Sequence, residues 1–116
     1  MIPLNSLADV PSDNDAPNPD GRPELLLLVG PFPIGRLVCT PGVLQRIHPD
    51  DIATALQRHC RCDWGELGQE DRAENDRALR EGGRLFSAYT CRNGARFWVI
   101  TECDRSATTA LLPEEY

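Results

Sequence analysis

Three groups of residues in this chain have types and spacings that chemistry could use. The first is the run His59-Cys60-Arg61-Cys62-Asp63. Imidazole and thiolate are ordinary zinc ligands, and Cys60 with Cys62 could supply two of them. Structural zinc sites, however, leave about two to four residues between paired cysteines, where Cys60 and Cys62 have only Arg61 between them, and they add a second pair elsewhere. Here that pair would be drawn from Cys39, Cys91 and Cys103, which stand alone in the sequence. The spacing therefore predicts no metal site. The plainer reading is a helix end at the solvent edge, where a protonated His59 also complements the helix dipole. A cysteine nucleophile would need an adjacent base and a lowered thiol pKa. No such neighbour is visible, and Cys39, Cys91 and Cys103 lie in or beside strand-like runs, where buried cysteine is common.

The second group is Thr101-Glu102-Cys103-Asp104-Arg105-Ser106-Ala107-Thr108-Thr109, which packs hydroxyls, carboxylates and one guanidinium closely together. Strand alternation would put Thr101 and Cys103 on one face and Glu102 and Asp104 on the other. A turn at Asp104–Ser106 would project Arg105 past the sheet edge. Arginine among hydroxyls can grip a phosphate or carboxylate, so Asp104, Arg105, Ser106, Thr108 and Thr109 form the candidate binding set. The competing reading is turn chemistry, since Asp and Ser bond their own backbone in turns and Thr favours strands.

The third group is an acid–base arrangement suited to RNA cleavage. Such chemistry needs a group that moves protons and a cation that neutralises phosphate. His59, Tyr89, Arg105 and Ser106 are the catalytic candidates, with Arg84, Ser87 and Arg96 nearby on the same predicted strands. Helices followed by an antiparallel meander give a layout similar to the barnase, EndoU, colicin and RelE-like ribonucleases. That likeness is one of element order, and no shared motif carries it. No phosphate-loop, dinucleotide or nucleophile-elbow pattern occurs, and no cofactor is expected.

Composition narrows the class. The chain has 116 residues, enough for one core. With 41% hydrophobic and 26% charged residues it is ordinary globular material. The formal net charge is −6, and there is no lysine, so every permanent cation is an arginine. An acidic balance does not favour non-specific adhesion to nucleic acid or anionic lipid, although it leaves room for a local basic groove. The longest apolar run, Leu25–Val29, is far short of the roughly 20 residues a membrane span needs. The first residues lack the cationic start of a secretory signal, so a cytoplasmic location is the expectation. Five cysteines without an export signal predict reduced thiols rather than a disulfide framework.

These groups must be positioned by elements that the pattern foretells. Residues 1–23, interrupted by Pro11, Pro17, Pro19 and Pro23, read as an acidic tail too polar to offset chain entropy. The ordered domain is expected over 24–116. Leu25–Val29 fits a buried strand ended by Gly30-Pro31, and Leu37–Cys39 a second strand. Thr40-Pro41-Gly42 looks like an N-cap followed by proline, opening a short helix to Ile47. His48-Pro49 breaks it. A second helix then runs to about His59 with Ile52, Ala55 and Leu56 on one face. A charged helix over Gln69–Glu81 has Ala73, Ala78 and Leu79 as its apolar line and stops at Gly82-Gly83.

Strands at Arg84–Tyr89 and Arg96–Thr101 flank Asn93-Gly94, the pair that favours a type I′ turn. Ala107–Leu112 is the third strand of this meander, closed by Pro113. Trp98 reads as a strand packing residue and Trp64 as a staple over the loop before the charged helix. The fold class is α+β, with short N-terminal strands and helices packed on one face of an antiparallel sheet.

One further signal is a string of residues spread over 36–116. It comprises Thr40-Pro41-Gly42, Asp63-Trp64-Gly65, Asn75, Gly82-Gly83-Arg84, Ser87-Ala88-Tyr89, Trp98-Val99-Ile100-Thr101-Glu102, Asp104-Arg105-Ser106, Thr108-Thr109 and Leu111-Leu112-Pro113-Glu114-Glu115-Tyr116. It resembles a family of small bacterial proteins described as plasmid-related. The resemblance implies a bacterial source and a link to plasmids or other mobile DNA, and it implies no particular reaction. Cys60 and Cys62 fall outside the pattern. The expected function is that of an accessory protein acting on a protein partner, with the small ribonuclease as the alternative.

Overall fold

The computed structural model describes residues 2–3 and 28–116. Two of the predicted helices begin as their caps dictate. Thr40 has extended backbone, and its hydroxyl accepts from Val43 N, with Pro41 opening α1 (Pro41–Arg46). His48 caps α2 (Pro49–Cys60) through Nδ1, which accepts from Asp50 N at 3.0 Å. The third helix, α3 (Gln69–Glu81), has no side-chain cap, but acidic Glu70 and Asp71 occupy its first turn. It ends where Gly82 turns left-handed with φ 89°.

The strands are β1 (Ile2–Pro3), β2 (Arg36–Cys39), β3 (Leu85–Thr90), β4 (Arg96–Thr101) and β5 (Ala107–Leu111), arranged β1-β2-β5-β4-β3. The meander β3-β4-β5 is antiparallel as expected. β2, however, lies parallel to β5, with Arg36 opposite Ala107 and Cys39 opposite Ala110, so the sheet is mixed. The segment between β2 and the meander, which contains all three helices, supplies the long crossover that parallel pairing requires. The strand expected at Leu25–Val29 is absent from Leu28 and Val29, and the chain bends just after them at Gly30-Pro31-Phe32. Residues 25–27, and the tail apart from Ile2–Pro3, lie outside the described residues.

Both meander turns differ from the simplest expectation. Gly94 alone takes positive φ (90°) in the first turn. Cys91 N donates to Ala95 O and Gly94 N to Cys91 O, each at 2.9 Å. This is a three-residue connection closed by a left-handed glycine, not a type I′ turn. The difference follows from Asn93, whose amide donates to Arg46 O and accepts from Ala95 N. In the second turn the left-handed position is taken by Arg105, with φ 61°.

Alternation decides which side chains go inward. Tyr89, Phe97, Val99, Ala110 and Cys39 point to one face and pack with Val43 of α1, with Ile47 just after it, and with Ile52, Ala55 and Leu56 of α2. Each large aliphatic or aromatic side chain buried there stabilises by roughly 1.5–3 kcal/mol. A second cluster, formed by Phe32, Trp64 and Leu85 with Ala78 and Leu79 at its margin, fills the α3 end. Of α3's predicted apolar line only Ala78 and Leu79 are partly buried, and Ala73 is exposed. The buried residue of that helix is Asn75. Among the described residues no helix is long and apolar enough to cross a membrane.

Candidate functional site

The polar residues of the inner face meet between the two clusters. The last full turn of α2 places His59 beneath the sheet, where it is 0% exposed. Its ring lies edge-on to Phe32 and Trp64, both at 5.6 Å between centroids. Nδ1 stands 2.6 Å from Ser87 Oγ and Nε2 stands 2.8 Å from Thr101 Oγ1. Thr101 Oγ1 is in turn 2.7 Å from Thr108 Oγ1, which donates to the carbonyl of Ile34 at 2.8 Å.

That carbonyl sets the direction of every proton in the chain of bonds. A carbonyl only accepts, so Thr108 spends its one proton on Ile34 and must accept from Thr101. Thr101 then has no proton for the imidazole and accepts from Nε2–H. Nδ1 is left as the acceptor for the Ser87 hydroxyl. The ring is neutral in this arrangement, and burial pushes the His59 pKa down to about 3, with the positive charge of Arg105 adding to the effect. The expectation of a histidine at the solvent edge, protonated against the helix dipole, is thus corrected. The reason is the sheet, which closes over the end of α2.

Arg105 is equally committed. One guanidinium nitrogen donates to Gly83 O at 2.6 Å and Glu102 O at 3.1 Å, and the other donates to Ala78 O at 3.1 Å. The guanidinium also sits 5.8 Å from the centre of the Phe32 ring. It does not project past the sheet edge. It folds back and ties the C-terminal end of α3 to the β4–β5 turn, satisfying helix-end carbonyls. Gly35 passes so close to this turn that a Cβ there would lie 2.4 Å from the carbonyl oxygens of Arg105 and Ser106.

The other candidates are placed separately. Tyr89 donates from its hydroxyl to Asp63 O at 2.7 Å, and burial raises its pKa above the ordinary phenol value. Asp104 Oδ1 accepts from Ser106 N at 2.9 Å, closing the turn on itself. The Ser106 hydroxyl, and after it that backbone bond, hold the Asp104 carboxyl below its usual range. Thr108 belongs to the His59 chain of bonds, whereas Thr109 lies half-buried on the opposite face. A shallow groove of about 430 Å³ lies along Leu28–Ile34, and none of His59, Tyr89, Arg105 or Ser106 lines it. Cys60 is buried and Cys62 adopts φ 65°, and burial raises both thiols above their ordinary pKa. Among the described residues no three His, Cys, Asp or Glu side chains gather as a metal cluster. No buried side-chain nitrogen or oxygen among them lacks a partner.

The outer face of the sheet is different. Alternation turns Phe86 of β3 and Trp98 of β4 outward, and the exposed Tyr116 folds back over them. Phe86 and Trp98 meet at 4.9 Å between centroids, and Trp98 and Tyr116 at 5.8 Å, all edge-to-face. Arg84 extends the row: its guanidinium stands 5.4 Å from the Tyr116 ring centre and donates to the Tyr116 hydroxyl at 2.6 Å. Trp98 and Phe86 are only half-buried, and Tyr116 is 67% exposed. Arg84 also pairs with Glu102 at 3.4 Å, and Arg96 with Glu66 at 3.6 Å.

Sequence reasoning missed this row by reading Trp98 as a packing residue. The signal was present in strand parity, because Phe86 and Trp98 alternate with the inward Ser87 and Val99. No protein-family model matches the chain, and no curated protein or solved structure matches it either.

Proposed function

We propose that this chain is a non-catalytic interaction protein that engages a protein partner through the outer face of its sheet. The observation that carries this reading is the row Arg84–Tyr116–Trp98–Phe86, aromatic and arginine side chains left in part to solvent on a rigid sheet. Trp, Tyr and Arg are the residues that dominate binding energy in protein interfaces. The contrast with the inner face supports it. There, His59 is sealed and its two nitrogens are both used, while Arg105 is spent on carbonyls. A ribonuclease would need both groups on the walls of one open pocket. The resemblance to plasmid-related bacterial proteins adds the biological setting, an accessory role beside mobile DNA.

Two measurements test the reading together. Affinity capture from a bacterial lysate should yield a protein that wild type retains and that Trp98→Ala and Tyr116→Ala lose, with the melting temperature of Tyr116→Ala unchanged. RNA and single-stranded DNA incubated with the wild-type chain should remain intact, as they do with Arg105→Ala. Cleavage that depends on His59 and Arg105, or capture indifferent to Trp98, would overturn the proposal.

A further inference from the structure

The way a partner can approach is restricted by the sheet's edges. Strand addition needs a row of unpaired backbone groups. On β3 the outward groups of Phe86 are taken by Asn75, whose amide donates to Phe86 O at 2.6 Å and accepts from Phe86 N at 3.1 Å. Those of Ala88 are taken by the next stretch of backbone, Trp64 O at 3.2 Å and Glu66 N at 2.8 Å. Thr90 donates its hydroxyl to Glu66. At the other end of the sheet β2 is paired along Val38–Cys39 with β1, an edge strand of two residues. The β3 edge beside the aromatic row is therefore closed to strand addition, and a partner reaches that row across the outer face.

The charges on that face are weighted toward arginine more than those of the chain as a whole. Residues 28–116 hold eleven arginines and thirteen carboxylates, and most of the net charge of −6 falls in the residues before them. Outward parity puts Arg36, Arg84 and Arg96 on the aromatic face, opposed there by Glu66 and Glu102. A guanidinium has five N–H donors, so one carboxylate contact does not exhaust its fork. Arg84 stands at the start of β3, and Arg96 pairs with Thr90 at its end. Strand rise sets these two cations roughly 20 Å apart with the aromatic row between them.

We infer that the outer face takes a short, extended, acidic segment of a protein partner, its carboxylates on Arg84 and Arg96 and its apolar residues on Phe86, Trp98 and Tyr116. This rests on the interaction reading above and assigns the class of partner. A span of roughly 20 Å corresponds to about six residues of extended chain. Proline and leucine suit the middle of such a segment, because exposed aromatic side chains are usual partners of extended proline-rich chains.

Isothermal titration of the full chain tests this with three probes. One is a blocked peptide of about seven residues, glutamate at each end and alternating proline and leucine between. The second is the same peptide with lysine at both ends, and the third is oligothymidylate. The glutamate peptide should bind about tenfold or more tighter than the lysine peptide, and added salt should narrow the gap. Arg84→Gln with Arg96→Gln should abolish the preference, and Tyr116→Ala should weaken both peptides. These side chains are exposed, so circular dichroism of the variants should match wild type. Equal affinity for the two peptides, no binding of either, tighter binding of oligothymidylate, or self-association of the chain in place of peptide binding would each overturn the inference. If lysate capture still depends on Trp98 while the glutamate peptide shows no advantage, the interaction reading stands and the acidic class alone falls.

Discussion

The Nδ1 of His59 accepts a hydrogen bond from Ser87 Oγ at 2.6 Å, in a space from which water is excluded. In an open cleft the same pair could activate a hydroxyl nucleophile. Here it is one end of a run of bonds through Thr101 and Thr108 to the carbonyl of Ile34. Each donor has one acceptor and the imidazole stays neutral, so the pair holds a helix to a sheet.

That neutrality makes stability depend on pH in a defined window. His59 in the folded chain takes a proton only near pH 3, whereas an unfolded histidine does so near 6.5. Between those values the unfolded state binds the extra proton, so stability increases with pH. Each unit of acidification there costs up to about 1.4 kcal/mol. Asp51 and Asp63, lowered by their bonds to Arg92 and Arg58, lose stabilisation in the same direction but at lower pH. Urea unfolding of wild type and His59→Gln between about pH 4.5 and 6.5 therefore isolates the histidine. Wild type should show the slope and the variant should be nearly flat. Parallel pH profiles would contradict the sealed, neutral ring.

Arg105 offers a test in which two effects oppose. Its φ of 61° disfavours any side chain by about 1 kcal/mol, while its guanidinium binds three carbonyls. Arg105→Ala keeps the strain and loses the bonds, for a loss of about 2–4 kcal/mol. Arg105→Gly relieves the strain and should be the more stable of the two by about 1 kcal/mol. Arg105→Lys retains the charge but lacks the planar fork and should fall well short of wild type. Thermal melts of the three variants decide this, and alanine equal to wild type would refute the clamp.

Asn75 should matter more than its place on a charged helix suggests. Asn75→Ala removes both bonds to Phe86 and reopens the backbone edge of β3. The expected loss is about 2 kcal/mol, accompanied by concentration-dependent light scattering as exposed edges pair. A variant that melts earlier but scatters light no more than wild type would show that Asn75 acts only through stability.

Much of the framework is decided by local chemistry and was legible along the chain. Thr40-Pro41 and His48-Pro49 set helix starts, Gly82 sets a stop, and short-range turn residues place the meander, because caps and turns involve neighbours in sequence. The parallel pairing of β2 with β5 was not legible, since register between strands far apart depends on how the intervening helices pack. Even the Asn93-Gly94 turn took its final form from Asn93's contact with Arg46 on a distant helix.

The candidate site shows the same division. Residue types nominated His59, Tyr89, Arg105 and Ser106 for chemistry, but burial and hydrogen-bond partners are properties of the folded chain. Tertiary structure sealed His59 between Phe32, Trp64 and the sheet and turned Arg105 back onto carbonyls. Strand parity had already turned Phe86 and Trp98 outward; what sequence could not supply was Tyr116 and Arg84 folding over them to make one surface. The reason is physical: alternation along a strand is local, whereas which face receives the helices depends on the packing of the whole chain.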